Sequence, residues 1–189
     1  MVKGDITKKA IATAFKSLME EKPFEQITVS QITNECGLNR LTFYYHFQDK
    51  YSLLNWIFSN EIVSLLTLNL TLDTWSSNLF TALSLMKNEK KYYLNALEYN
   101  NIEFRQYLLD IAQSVFAQAI TKLADGKELG KENQKFISSF FAHGITGVII
   151  DWVNGGMKES PKSLTDHVYN LVYECKSLAI SNYLKELNK

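Results

Sequence analysis

The amino-acid sequence predicts an all-α protein, with an N-terminal three-helix head carrying a helix-turn-helix and a C-terminal helical-bundle body, about nine helices in all. Three observations predict it. Apolar residues recur at spacings of three and four along nearly the whole chain, the period of a helix with one buried face. Only two prolines and eight glycines interrupt 189 residues, so long helices can run unbroken. No stretch of useful length shows the alternation of a strand.

Taken in order, Ala10, Ile11, Ala14, Phe15, Leu18 and Met19 form one stripe, which predicts a first helix over residues 5–21 that stops before Pro23. Thr28-Val29-Ser30-Gln31 has the form of a capping box, in which a Thr hydroxyl and a Gln side chain satisfy each other's backbone N–H groups. Ile27 and Ile32 stand where a hydrophobic staple would hold the entering chain, so a second helix is expected from 28 to 36. Gly37 then suits a residue of positive φ, and Asn39 suits the cap of a short third helix over 40–47. Leu38 and Phe43 again stand at staple positions, and Asp49 can cap a fourth helix whose apolar face runs from Leu53 to Leu66. Beyond it, helices are expected over about 73–87, 89–98, 101–124, 131–155 and 161–187. Loops are marked by Thr71 and Asp73, Asn100-Asn101, Asp125-Gly126 and Gly155-Gly156, and Ser160-Pro161 opens the last helix. The division expected is a head over residues 1–50 and a body over 51–189.

Composition narrows the function. Net charge is zero, so any nucleic-acid site must place its few cations well. Cys36 and Cys175 give neither a disulfide framework nor metal-ligand spacing, and read as reduced thiols. No metal, no cofactor and no catalytic residue is expected. His46, His143 and His167 fall in different helices, and no Ser/His/Asp, Cys/His or paired-carboxylate set stands out. The N-terminus lacks the apolar core of a signal peptide, and no apolar run is expected to reach the ~18 residues of a membrane span, so the chain reads as cytoplasmic.

The constellation that carries chemistry is the tight turn Gly37-Leu38 between two short capped helices. In a helix-turn-helix the first helix crosses the DNA backbone and the second enters the major groove. The second helix needs an apolar inner side, for which Leu38, Leu41 or Phe43, and Phe47 serve. Arg40, Thr42, Tyr44, Tyr45 and His46 supply an outer side of donors. Lys50, at the start of the next helix, reads as a phosphate seat. An aromatic cluster such as Phe43 to Phe47 is, taken alone, more often core packing, and it is the capped turn before it and Asp49-Lys50 after it that favour DNA contact.

The stretch from Ile27 to Leu54, with its Thr start, its small-Gly turn, and Phe43-Tyr44-Tyr45-His46-Phe47 followed by Lys50 and Leu53, resembles the DNA-binding signature of the TetR (tetracycline-repressor) family. The resemblance covers about the first 60 residues. It implies phosphate contacts from Thr28, Tyr44, Tyr45, His46 and Lys50, with Asn39, Arg40 and Thr42 nearest the base edges. Arg40 is the single arginine of the head, and Arg is the usual reader of guanine. The family usually has Ala where Thr33 and Cys36 stand, and often Ser or Thr where Asn39 stands. Farther on, Asp151 to Pro161 resembles a subgroup containing regulators related to the dihydroxyacetone-kinase activator, some of which work with a protein coactivator.

The last two helices are apolar on more than one face. Phe136, Phe140, Phe141, Ile145, Val148, Ile149 and Trp152 cover a wide arc of one, with Gly144 and Gly147 as points of close approach. On the other, Leu164, Val168, Leu171, Val172, Cys175, Leu178 and Ala179 make one stripe, and Tyr169, Tyr173, Ile180, Leu184 and Leu187 a second. A second stripe implies a second contact, and a two-fold four-helix interface between identical chains is the simplest solution, with burial in the core of a single chain as the competing reading. An effector pocket is expected inside the body, with Trp75, Tyr93, Phe104, Phe116 and His143 as candidate lining residues, beside Phe80 and Met86. Core packing is the competing reading for each. The function expected is a homodimeric, sequence-specific regulator of transcription on an operator duplex, controlled at its body by a small-molecule effector or a protein coactivator. The alternative is an interaction adaptor that keeps the fold without operator binding.

Overall fold

The computed structural model describes residues 3–71, 73–97, 102–123 and 131–187. Among these every regular element is helical. The expected loops at Asn100-Asn101 and Asp125-Gly126 lie outside the described residues.

Helix α1 (Lys3–Glu21) buries Ile11, Ala14, Phe15, Leu18 and Met19, while Ala10, expected on the same stripe, faces out. A 3₁₀ turn (Phe24–Gln26) follows Pro23. Helix α2 (Val29–Glu35) starts on the expected capping box. Gln31 N–H donates to Thr28 Oγ1 at 3.3 Å and Thr28 N–H to Gln31 Oε1 at 2.9 Å, worth about 1 kcal/mol. Ile27 and Ile32 are both fully buried, as a staple requires. Gly37 has φ +66°, where a side chain would be strained. Helix α3 (Arg40–His46) is capped by Asn39, whose Oδ1 accepts from Thr42 N–H at 2.8 Å.

Helix α4 (Lys50–Phe58) is capped by Asp49, which accepts from Ser52 N–H at 2.7 Å. It does not run evenly to Leu66, as its apolar pattern alone suggests. A π turn over Ser59–Val63 separates it from α5 (Ser64–Thr67). The body adds α6 (Trp75–Asn88), α7 (Lys90–Ala96), α8 (Ile102–Leu123), α9 (Lys131–Asn154) and α10 (Pro161–Leu187). With α4 and α5 taken as one rod, nine rods stand among the described residues.

One continuous core links head and body. Phe15, Phe24, Ile32, Phe43 and Phe47 pack in the head, and Leu53, Leu54 and Ile57 of α4 carry that core to Leu83, Met86, Tyr92 and Trp152. α1 rests on α7, α4 on α8, α6 on α10, and α8 pairs along α9. The linker expected between the last two helices is ordered by its own bonds. Trp152 Nε1 and Lys87 Nζ both donate to the Glu159 carbonyl at 3.1 Å, and Ser160 Oγ caps α10 by accepting from Ser163 N–H at 3.1 Å.

Candidate nucleic-acid interface and body cavity

Helix α3 turns one side into the head and the other to solvent. Phe43 is fully buried and Phe47 nearly so, which anchors the helix by about 1.5–3 kcal/mol per ring. The inner side is therefore Phe43 and not Leu41. Leu41 is 80% exposed and Tyr45 84% exposed, one turn apart on the outer side. Arg40 is exposed beside them, its Nη2 donating to the Tyr44 hydroxyl at 3.4 Å with the guanidinium 5.9 Å from the Tyr44 ring centre. Two exposed tyrosines, an arginine and a leucine make a donor-rich face with one apolar point. Sequence reasoning missed Leu41 because its apolar character alone argues for burial.

The other predicted site residues fall into two groups. Thr28 and Asn39 lie at the exposed starts of α2 and α3, but their oxygens are committed to capping. Thr42, whose hydroxyl donates to Asn39 Oδ1 at 3.0 Å, and His46, whose ring meets Tyr45 edge-on at 4.9 Å, are half-buried at the flanks.

Lys50 departs from expectation. Its ammonium donates to the carbonyls of Phe24 at 2.7 Å, Glu25 at 3.0 Å and Ile27 at 3.1 Å, over the face of the Phe24 ring at 4.4 Å. All three of its hydrogens thus point to the 3₁₀ turn and the residue that follows it. Partial burial of the ammonium pulls its pKa below the ordinary lysine value, against the opposing charge of Glu25.

Thr33 and Cys36, the departures from the usual alanines, are accommodated locally. The buried Thr33 hydroxyl donates to the Val29 carbonyl at 3.0 Å, and Cys36 Sγ to the Ile32 carbonyl at 3.2 Å. Both cysteines are unpaired thiols. Among the described residues no cluster of His, Cys, Asp or Glu could hold a metal ion.

Two side-chain assemblies tie head to body. Asn95 of α7 accepts from Phe24 N–H at 2.8 Å and donates to the carbonyls of Met19 at 2.7 Å and Lys22 at 2.6 Å, closing the end of α1. Lys16 of α1 meets Glu61 Oε2 of the π turn at 2.7 Å and Glu89 Oε2 at 2.5 Å, and lies 4.9 Å from the Tyr92 ring centre. Tyr93 donates to Glu61 at 3.3 Å.

The body holds a partly open cavity of about 570 Å³ between α4/α5, α6, α8, α9 and α10. Trp75 and Phe116 line it, as expected, and so does Met86. Tyr93, Phe104 and His143 do not. Tyr93 is buried under the Lys16 cluster, Phe104 packs on Phe58 and Tyr107, and His143 is exposed with its Nδ1 against the Ser139 carbonyl at 2.8 Å. Tyr93 belongs to α7, which does not border the cavity, while Phe104 and His143 sit on the lining helices α8 and α9 but turn away from it, a rotation set by packing. Phe80 is also exposed.

Outside the cavity, α9 presents Phe136 at 72% exposure and Phe140 at 64%, with Val148 in line, and α10 presents Leu171. A Cβ on Gly144 or Gly147 would meet nothing within 4 Å. Ile145 and Ile149 instead pack on the core, and Trp152 is buried in it. Leu164, Val168 and Val172 of α10 also face the core, Tyr169 stacks on Trp75 at 5.8 Å, and the stripe positions from Leu178 on lie outside the described side chains. Contrary to expectation, α9 is by length and a mean hydropathy of 1.4 apolar enough to cross a membrane.

Comparison with known proteins agrees with this geometry. Residues 11–57 match the family described as bacterial regulatory proteins, tetR family, and residues 73–174 match a transcriptional regulator C-terminal region. The HTH-type dhaKLM operon transcriptional activator DhaS of Lactococcus lactis subsp. lactis (strain IL1403) is 38% identical over 93 residues, 49% of this chain. That match spans only about half the length of the relative, 50%. A solved dihydroxyacetone kinase operon activator DhaS superposes with a TM-score of 0.73 at 25% identity, over 92% of this chain and 97% of that one. A TetR transcriptional regulator from Streptococcus agalactiae 2603V shares the fold with a TM-score of 0.62 at 19% identity, over 89% and 94% of the two chains. A capped, core-backed α3 on a head that matches one half of the pattern, and a helical body that matches the other, make this chain a member of the tetR family of bacterial regulatory proteins.

Proposed function

We propose that the protein is a homodimeric, cytoplasmic transcription regulator that binds an operator duplex through α3 and is controlled through its body. The observation that carries this reading is α3 itself: Phe43 locks it to the head while Arg40, Leu41, Tyr44 and Tyr45 project from the opposite side. Arg40 suits the guanine edge and Leu41 the thymine methyl, while the tyrosine hydroxyls suit phosphate oxygens. Thr28, Asn39, Thr42 and His46 frame that face. Lys50 serves it indirectly, by holding the turn on which α2 begins. The head is residues 1–50 and the body 51–189, with α4 as the rod common to both cores.

The exposed Phe136, Phe140, Val148 and Leu171 favour pairing with a second copy, and account for an apolar α9 without a membrane. Pairing would set two α3 helices about one DNA turn apart, roughly 34–36 Å. Control would run through the π turn. Phe58 just before it and Ile62 within it border the cavity, and Glu61 within it holds Lys16 of the head. Such turns recur at functional sites, and an occupant that repacked this one would shift the head spacing. A body-bound protein coactivator could act on the same turn.

Selection of bound duplexes from random DNA, followed by fluorescence anisotropy across salt concentrations, tests the reading. A palindromic site bound far more tightly than random duplex is expected. Folded dimers with no preference for any duplex would overturn it, and a co-purifying partner would then favour an adaptor.

A further inference from the structure

The cavity's chemistry narrows what it can hold. We propose that it takes a neutral, hydrocarbon-rich molecule whose polar group is a hydroxyl or carbonyl, and that it rejects the corresponding carboxylate. This rests on the reading of the cavity as the site of control. Its volume of about 570 Å³ lies in the range of small-ligand sites. Its walls are aliphatic and aromatic, with Ile62, Trp75, Val115, Phe116 and Ile149 among them, and among the described residues no Lys, Arg or His contributes to the lining. Among the described lining residues the charged one is Asp73, exposed in the loop between α5 and α6 beside Thr71.

Charge therefore decides between ligands of equal length. A carboxylate inside would lose its water and meet no cation among the described residues, and one at the loop would face Asp73. The Thr71 hydroxyl there already bonds to Thr74 Oγ1 at 3.0 Å and accepts from Asp73 N–H at 3.3 Å. The half-buried Thr146 on α9 is the hydroxyl of the interior wall, and an alcohol or carbonyl oxygen can use it without leaving a charge unpaired.

Three probes of one chain length separate the possibilities: 1-decanol, decanoate and decylamine, each titrated into the full-length protein at neutral pH below its aggregation concentration. Tryptophan emission reports occupancy, because Trp75 lines the cavity, and the Trp75→Phe variant identifies its share of the signal. Saturable binding of decanol, at least tenfold tighter than decanoate and tighter than decylamine, is expected. It should be lost in Ala112→Phe or Ala119→Phe, whichever keeps the wild-type circular dichroism, since both positions line the cavity. Decanoate binding as tightly as decanol, decylamine binding more tightly, no saturable binding of decanol, or binding unchanged in the filled variants would each overturn the proposal. Binding to a selected duplex without any probe is measured in parallel. Its survival with no decanol bound removes the ligand class alone, and its absence with decanol bound removes the operator reading alone.

Discussion

Lys16 of the head and Glu61 of the π turn form an ion pair of 2.7 Å, although α1 and the turn lie 45 residues apart in sequence. One ammonium serves two carboxylates here, since Glu89 is also 2.5 Å away. Removing it leaves like charges facing each other, partly shielded from water. We expect Lys16→Met to cost about 1–3 kcal/mol, between the values for exposed and buried pairs, read as a shift of the urea midpoint. Glu61→Gln should cost less and weaken the link between cavity and head, so that probe binding changes duplex affinity less than in the wild type. An unchanged linkage in both variants would count against a path through the π turn.

Asn95 closes three backbone groups at the end of α1 and the start of the 3₁₀ turn. Asn95→Ala strands them in a half-buried seam. A loss of about 2–3 kcal/mol is expected, with Asn95→Asp no better, because a carboxylate cannot donate to the two carbonyls. Hydrogen exchange should show the fraying confined to residues 19–27.

Tyr92 is fully buried, and among the described residues its hydroxyl has no hydrogen-bond partner. Tyr92→Phe keeps the ring beneath Lys16 and should be neutral or stabilising, by up to about 1–3 kcal/mol. Burial first, then the charges of Glu61 and Glu89, lift the Tyr92 phenol well above its ordinary 10.0. Burial also lifts Tyr93, with neighbouring Tyr92, Glu61 and Glu89 adding. The folded protein therefore holds two protons that the unfolded chain releases above about pH 10. Their contribution is complete below that pH and lost as pH rises beyond it, by up to about 2–3 kcal/mol per pH unit for the pair. Tyr92→Phe should roughly halve that slope in alkaline denaturation, and an unaltered slope would contradict the assignment.

On DNA the face of α3 predicts distinct phenotypes. Arg40→Ala should relax base choice at one position per half-site, by about 1–3 kcal/mol, with little loss on random duplex. Tyr45→Phe should weaken all duplexes alike, by about 1 kcal/mol. Lys50→Ala should lower thermal stability more than the salt dependence of binding, because its hydrogens are spent on Phe24, Glu25 and Ile27. A fall of about one per subunit in the salt slope on Lys50→Ala would instead show a phosphate contact.

The apolar strip on α9 gives a fifth expectation. Phe140→Glu places a charge in the middle of the proposed interface and should yield a folded monomer by sedimentation. Phe80→Glu, on an exposed ring elsewhere, serves as the control. A dimer persisting in Phe140→Glu would move the interface off this face.

What the sequence by itself determined were local matters. Thr28, Asn39 and Asp49 cap helices because each needs a bond only two or three residues along the chain, and Gly37 is legible because a left-handed turn must stand between two such caps. The helical period likewise placed α6 to α10 to within a few residues. Tertiary structure alone decided how far each helix turned about its own axis and what lay across from it. That rotation put Leu41 outside and Tyr93, Phe104 and His143 away from the cavity. It also brought Lys50 to carbonyls 23–26 residues back and Asn95 to others more than 70 residues away. Residue order records which groups can bond, whereas helix packing sets which of them meet, because burial drives a helix to the rotation that hides the most apolar surface.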